Sequence, residues 1–477
     1  MIPMTLAEVA GVTGGRVVPP GGGADPDPLD AAGVVVDGPV VTDSREAGPG
    51  GLYVARVGEH ADGHDFVGGA IERGAVAALV TRPVAGARCV VVDDTQEAFA
   101  ALAREVVRRA DGLTVVGITG SSGKTSTKDL LGTVLATAGP TVAPVGSYNS
   151  EVGVPLTVCR VEPDTRFLVA EMGARGVGHI AYLTRMAPPR IGIVLNVGTA
   201  HVGEFGSREA IGRAKSELVA ALPADGVAVL NTDDSVVRGM AAVTAARVVL
   251  VGEAADAQVR ATDVRLDAGG RPSFSLTSPA GERPVTLGLV GRHHVANALA
   301  VVATALELGL TLDAVVAALE AATPVSRWRM EVTERPDGVT VVNDAYNANP
   351  DSMRAALLAL ERMGEGRRTW AVLGTMLELG EESDALHAQV GEEAVARGVD
   401  ELLVVGRPAA ALADGARAAL SGAAASTRVR TAPDADAAEA LLRAELAPGD
   451  VVLFKSSRDA GLRLLGDRLA APSEEQT

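Results

Sequence analysis

Lysine is nearly missing from this chain. Of 43 lysines and arginines only four are lysines, Lys124, Lys128, Lys215 and Lys455. Arginine therefore serves wherever a generic positive charge suffices, and each lysine marks a place where an amine is wanted, because the two differ in geometry, hydration and covalent chemistry. Aromatic residues make up only 3% of the chain, so the cores of a sequence that is 47% hydrophobic must be built from Val, Leu, Ala and Ile. The two cysteines, Cys89 and Cys159, lie in separate apolar segments without a partner motif. That argues against a disulfide framework or a zinc site and for reduced, buried thiols. No apolar run approaches the length of a membrane span, and no basic region followed by an apolar one opens the chain. Positive charge is also in short supply: the net charge is −17, which leaves no cationic field to attract nucleic acid or an anionic membrane. The expectation is a soluble cytoplasmic protein that binds neither, with two to four domains in its 477 residues.

Against these absences stands one rich stretch, TGSSGKTS, Thr119 to Ser126. It follows the apolar run Leu113 to Ile118 and precedes a helix-like pattern from Thr127 to Ala138, and a glycine-rich turn between strand and helix is where backbone N–H groups converge on a phosphate. Gly120 and Gly123 remove side chains that would block the approach. Lys124 can reach the outer phosphates and the Thr125 hydroxyl can hold Mg²⁺. Ile118 stands where the longer phosphate-loop pattern has its first glycine, so the match is to the shorter GxxGKT form; a solvent-exposed glycine turn is the alternative. Lys128, one turn further on, is expected to be solvated.

The chain reads as α/β throughout, in three domains. Residues 1–111 form a small α/β N-terminal domain with strands near Val34–Val36, Leu52–Ala55, Ala77–Val80 and Cys89–Val92 and an irregular loop from Pro19 to Pro28. His60, His64 and Asp65 match no common metal spacing and read as surface or cap residues. Residues 112–323 alternate strands and helices as a mostly parallel sheet carrying the phosphate loop. Polar residues sit at its strand ends: Glu171 after Phe167–Ala170, then Asn196 and His201, positioned to share one crevice with Lys124 or merely to cap and hydrogen-bond locally. Lys215 lies beside the apolar face formed by Ile211, Ala214 and Leu218; a solvated helix lysine is the plain reading, which the scarcity of lysine disfavours. His293, His294 and Asn297 open a later helix, where such residues read a ligand edge or cap the helix. Residues 324–477 make a Rossmann-like domain without a GxGxxG fingerprint; in it Asp344 ends a strand and Pro350 opens a helix.

In order, TGSSGKTS, YNSEVGVPLT, AEMGA, NVGTAHVGEFGS, AKSEL, GRHHVANALA, WRMEV, DAYNANPDSM and LGTMLELG resemble the Mur ligases over nearly the whole chain. The resemblance implies an ATP-dependent amide ligase, a UDP-sugar domain followed by an ATP domain and a closing domain. DAYNANPDSM and MLELG are most similar to the member that joins D-alanyl-D-alanine to UDP-N-acetylmuramoyl-tripeptide. By motif, Gly120, Ser121, Ser122, Gly123, Lys124, Thr125 and Ser126 would cradle ATP, Thr125 and Glu171 would bind a first Mg²⁺, and His201 matches a residue near a second. Lys215 matches a lysine that carries a carbamate. Asn297 would meet adenine, Arg329 the γ-phosphate and Asp344 the ribose, with Tyr346 and Asn347 flanking the nucleotide. Ser44 and Arg45 would meet the UDP moiety. A monomer is usual for the family, and a hinge is expected near Thr323 and Pro324. Thr375, Ser456 and His294 depart from the family's commonest residues. A ligase diverted to another peptide, or a non-catalytic ATP-binding relative, are the competing readings.

Overall fold

Three large sheets, beside a two-stranded pairing of Met4–Thr5 with Val35–Val36, organise the computed structural model, which describes residues 1–20, 32–58, 60–198, 202–421 and 426–471. The first has five strands in the order Arg16–Val18, Cys89–Val91, Ala77–Val80, Leu52–Val54, Val40–Val41, parallel except for the first pair. The irregular loop expected from Pro19 to Pro28 lies mostly outside the described residues. Cys89 and Cys159 are free and buried, as a chain without a disulfide framework requires.

The second sheet has nine strands, and seven of them, from Val259–Leu266 across to Thr141–Val142, run parallel. Its strands are short apolar runs whose alternate side chains point to opposite faces. Val116, Ile118, Val169 and Ile193 face the helices Lys124–Ala136 and His294–Glu307. Val115, Leu168 and Val194 belong to a core that continues into the first domain through Leu6, Leu79 and Phe99. The strand Thr114–Thr119 lies between Phe167–Glu171 and Ile191–Val194. The chain therefore leaves this strand for one side of the sheet and later returns to the other, which opens a crevice at the carboxyl ends of the three strands.

The third sheet has six strands, in the order Glu331–Glu334, Thr340–Asn343, Val451–Lys455, Thr369–Leu373, Glu401–Val405, Arg428–Ala432, parallel but for the first pair. It has its own cores on its two faces, one around Ala371, Leu402 and Leu453, the other around Trp370, Leu403 and Phe454. Where the expected hinge lies, Ser326 is buried and tied down: its N–H donates to Asp129 Oδ2 at 3.2 Å and its hydroxyl accepts from Gly146 N at 3.0 Å. The second and third domains also touch where Gly203 N donates to Glu378 O at 3.3 Å. A Cβ on Gly203 would stand 2.4 Å from Gly380 N.

Candidate active site

The helix Lys124–Ala136 begins at Gly123, whose φ of +81° is left-handed and whose missing side chain leaves the first helical N–H groups without a side-chain cap. Such an end is an anion site by construction. A Cβ there would also come within 2.8 Å of Asn297 Oδ1, so glycine is required twice over. The loop itself is braced by Asn196, which the sequence placed merely at a strand end. Its Oδ1 accepts from Ser122 N at 2.9 Å and its Nδ2 donates to Ser122 O at 3.2 Å. Ser121 Oγ in turn accepts from Gly198 N at 2.9 Å. Lys124 Nζ donates to Gly120 O at 2.8 Å, and its pKa is lowered by burial first and by the Arg329 charge as well, while the Glu171 carboxylate pulls it the other way.

Beyond the loop, the Thr125 hydroxyl donates to Glu171 Oε2 at 2.9 Å. Glu171 Oε1 accepts from Ser147 Oγ at 2.9 Å and from Asn149 Nδ2 at 2.8 Å. This is a cluster of hard oxygen donors beside a phosphate cradle, the chemistry Mg²⁺ selects when it binds through one carboxylate, waters and substrate phosphates. The residues present therefore fit that ion. Ser147 and Asn149 were missed as site residues; the polar run SYNS was the available signal. Arg329, from the third domain, crosses to this point: its Nη2 donates to Thr125 Oγ1 at 3.0 Å, and its guanidinium lies 4.3 Å from the centre of the Tyr346 ring.

These groups line one cavity of about 1060 Å³, to which all three domains contribute. Lys215 lines it too, buried rather than solvated, with a pKa pushed down to about 7 by burial first and by Lys124 second. Asn297, His293 and His294 form another wall. The two imidazoles lie 4.3 Å apart and burial drives both toward the neutral form. His294 Nδ1, Asn297 Nδ2 and Arg329 Nε are buried without a hydrogen-bond partner. Orphaned polar atoms around a cavity call for a polar ligand. Asp344, Tyr346 and Asn347 line the same space.

Two expectations come out differently. Lys128 is buried rather than solvated, its ammonium held by Asp129 and the Pro144 carbonyl. His64 is neither on the surface nor a simple cap: it is buried, Nδ1 2.6 Å from Asp62 Oδ1 and Nε2 accepting from Thr81 N at 3.0 Å. Ser44 and Arg45 form a turn outside the large cavity, where Arg45 holds the Asp43 carboxyl down to about 2. His201 lies outside the described residues.

Family models match in three blocks: "Mur ligase family, catalytic domain" over residues 39–111, "Mur ligase middle domain" over 118–305 and "Mur ligase, glutamate ligase domain" over 328–458. The UDP-N-acetylmuramoyl-tripeptide–D-alanyl-D-alanine ligase of Mycobacterium bovis is 49% identical over 99% of this chain and 98% of its own length. The chain belongs to the Mur ligase family. The Escherichia coli enzyme of the same name is 37% identical over 86% of the chain and 88% of its own. Among solved Mur ligases, MurF from Acinetobacter baumannii superposes with a TM-score of 0.85 at 30% identity, covering 98% of this chain and 99% of its own. MurF from Thermotoga maritima, solved in complex with ADP, gives 0.79 at 29%, covering 92% and 98%. The carbamate expected on Lys215 finds no support in these relatives, and Lys215 is treated below as the buried amine the structure describes. Among the described residues no helix is long and apolar enough to cross a membrane.

Proposed function

We propose that this Mur ligase uses ATP to join D-alanyl-D-alanine to UDP-N-acetylmuramoyl-tripeptide, in the cytoplasm where both nucleotides are found. The observation that carries the reading is the reach of Arg329 from the third domain to Thr125 beside the phosphate loop, which makes one site out of two domains. A carboxylate does not condense with an amine at neutral pH until one of its oxygens becomes a leaving group. The tripeptide's terminal carboxylate would attack the γ-phosphorus, the bond to the β-bridging oxygen would break, and ADP would leave an acyl phosphate. The dipeptide amine would then attack the acyl carbon, the C–O bond to phosphate would break, and inorganic phosphate would depart as the amine gives up its proton.

Catalysis of this kind is positioning and neutralisation of charge. The loop N–H groups and Lys124 would hold the β- and γ-phosphates, with Arg329 on the transferred group. Phosphate charge would favour the ammonium form of Lys124 that burial disfavours. Thr125 and Glu171 would hold Mg²⁺, which supplies Lewis-acid stabilisation of phosphate charge when bound. A second Mg²⁺ is part of the proposal through the motif position of His201. Asn297 and His294 would meet the base with their orphaned ring and amide nitrogens. The test is phosphate release from ATP with a lysine- or diaminopimelate-containing tripeptide substrate, with and without D-alanyl-D-alanine, followed by product mass. Dipeptide-dependent release and a pentapeptide mass are expected; ATP binding without turnover on either tripeptide would overturn the proposal.

A further inference from the structure

Lys455, the fourth of the rare lysines, is buried at the end of the strand Val451–Lys455, inside the third sheet. Its ammonium has three hydrogen-bond acceptors: Asp344 Oδ2 at 2.5 Å, Asn347 O at 3.1 Å and Asp344 O at 3.3 Å. An ammonium has three protons to give, so all are engaged by the protein. The three acceptors belong to one turn, between the strand Thr340–Asn343 and the helix Pro350–Met363. A compact point charge fits such a convergence, whereas a planar guanidinium fork does not.

The other carboxylate oxygen of Asp344 has a partner of its own. Asp344 Oδ1 accepts from Met330 N at 3.1 Å. Met330 has φ +50° and Trp328 has φ +60°, both left-handed without being glycine, and Arg329 lies between them. Backbone in this region is strained and persists only where its surroundings hold it. Trp328 is held in part by Glu331 Oε2, which accepts its N–H at 2.9 Å, and by Asp467, which accepts its indole N–H at 3.0 Å; the two remaining holding groups are Asp344 on Met330 and Tyr346 N donating to Trp328 O at 3.3 Å. Both come from the turn that Lys455 ties together.

We propose that Lys455 is a positioning residue for phosphoryl transfer, fixing Asp344 so that Asp344 fixes the Met330 backbone and thereby aims Arg329 at the phosphate side of the cavity. The inference rests on the ligase reading above. It also explains why the Asp344 side chain is oriented by two protein donors before any nucleotide arrives.

A double-mutant cycle tests it, with dipeptide-dependent phosphate release and ATP affinity measured for the wild type, Lys455→Met, Arg329→Ala and the double variant. Lys455→Met is expected to lose on the order of 10- to 100-fold in kcat, as removal of one aimed electrostatic group does. Its ATP affinity should stay within about threefold, and the double variant should be no slower than Arg329→Ala alone, because residues acting as one unit are not additive. Additive losses, or a Lys455→Met kcat within about threefold of wild type, overturn the role of Lys455. If Lys455→Met shows no cooperative melting, Lys455→Gln, which keeps two donors, replaces it in the same cycle under the same criteria. A wild type that releases no phosphate with the dipeptide defeats the ligase reading instead, so the two failures are distinct.

Discussion

Replacing Gly203 by alanine should slow the reaction without unfolding the protein. The added methyl would sit 2.4 Å from Gly380 N and 2.7 Å from Gly380 Cα, whereas ordinary contact begins at 3.4 Å. The segment around Gly380 must therefore withdraw by about 1 Å, and both atoms are backbone with no rotamer to swing aside; overpacking of this kind costs ~1–3 kcal/mol. That cost falls only on the arrangement in which the second and third domains touch, the one in which Arg329 reaches Thr125. At ~1.4 kcal/mol per tenfold, the competent arrangement becomes roughly 5- to 100-fold rarer. The assay is steady-state phosphate release beside a thermal melt. A fall in kcat of that size with a melting temperature within a few degrees of wild type is expected, because the clash lies between domains rather than inside one. Gly380→Ala should behave alike, with added strain from its φ of +65°. A Gly203→Ala enzyme with kcat within about twofold of wild type would refute the argument, since the overpacking estimate leaves no room for it.

Thr125→Val removes the hydroxyl that meets both Glu171 and Arg329 and should cost on the order of a hundredfold in kcat; near-wild-type turnover would move the phosphate and metal contacts elsewhere. Lys215→Arg places a larger, always-charged group where burial has drawn an amine down to about 7, and should lose most turnover in the phosphate-release assay while ATP affinity changes little. His387, whose pKa burial lowers from 6.5, accepts Met376 N–H on Nε2 at 2.9 Å. Below the ordinary value the unfolded chain binds a proton that the folded chain resists, so stability falls as pH drops from 6.5 toward the lower folded value. His387→Gln should flatten that acid limb in pH-dependent melts.

The phosphate loop was legible because its chemistry demands two glycines and a lysine at fixed spacing, and lysine is rare here. Glu171 was legible because an acid ends an apolar strand. Asn196 was noticed for the same reason, but its bond to Ser122, 74 residues away, follows from strand order rather than local pattern. Ser147 and Asn149 sit in an irregular segment with no periodicity to flag them, and their meeting with Glu171 depends on how Thr141–Val142 enters the sheet. Lys128 was misjudged because helical spacing says nothing about the segment around Pro144 that covers it. The strained pair Trp328 and Met330 was invisible for a deeper reason: neither residue favours a left-handed backbone, and it takes contacts from Asp344, Tyr346, Glu331 and Asp467 to hold them there.

The hydrophobic core that runs without a break from Leu6, Leu79 and Phe99 to Val115, Leu168 and Val194 has a thermodynamic consequence. Two bodies that share one core lose it together, whereas the cores of the third sheet take from the second domain only Val290. Cooperative unfolding follows cores rather than sheets. A calorimetric scan should accordingly resolve two transitions in a chain with three domains, and a nucleotide bridging Lys124 and Arg329 should draw the two toward one.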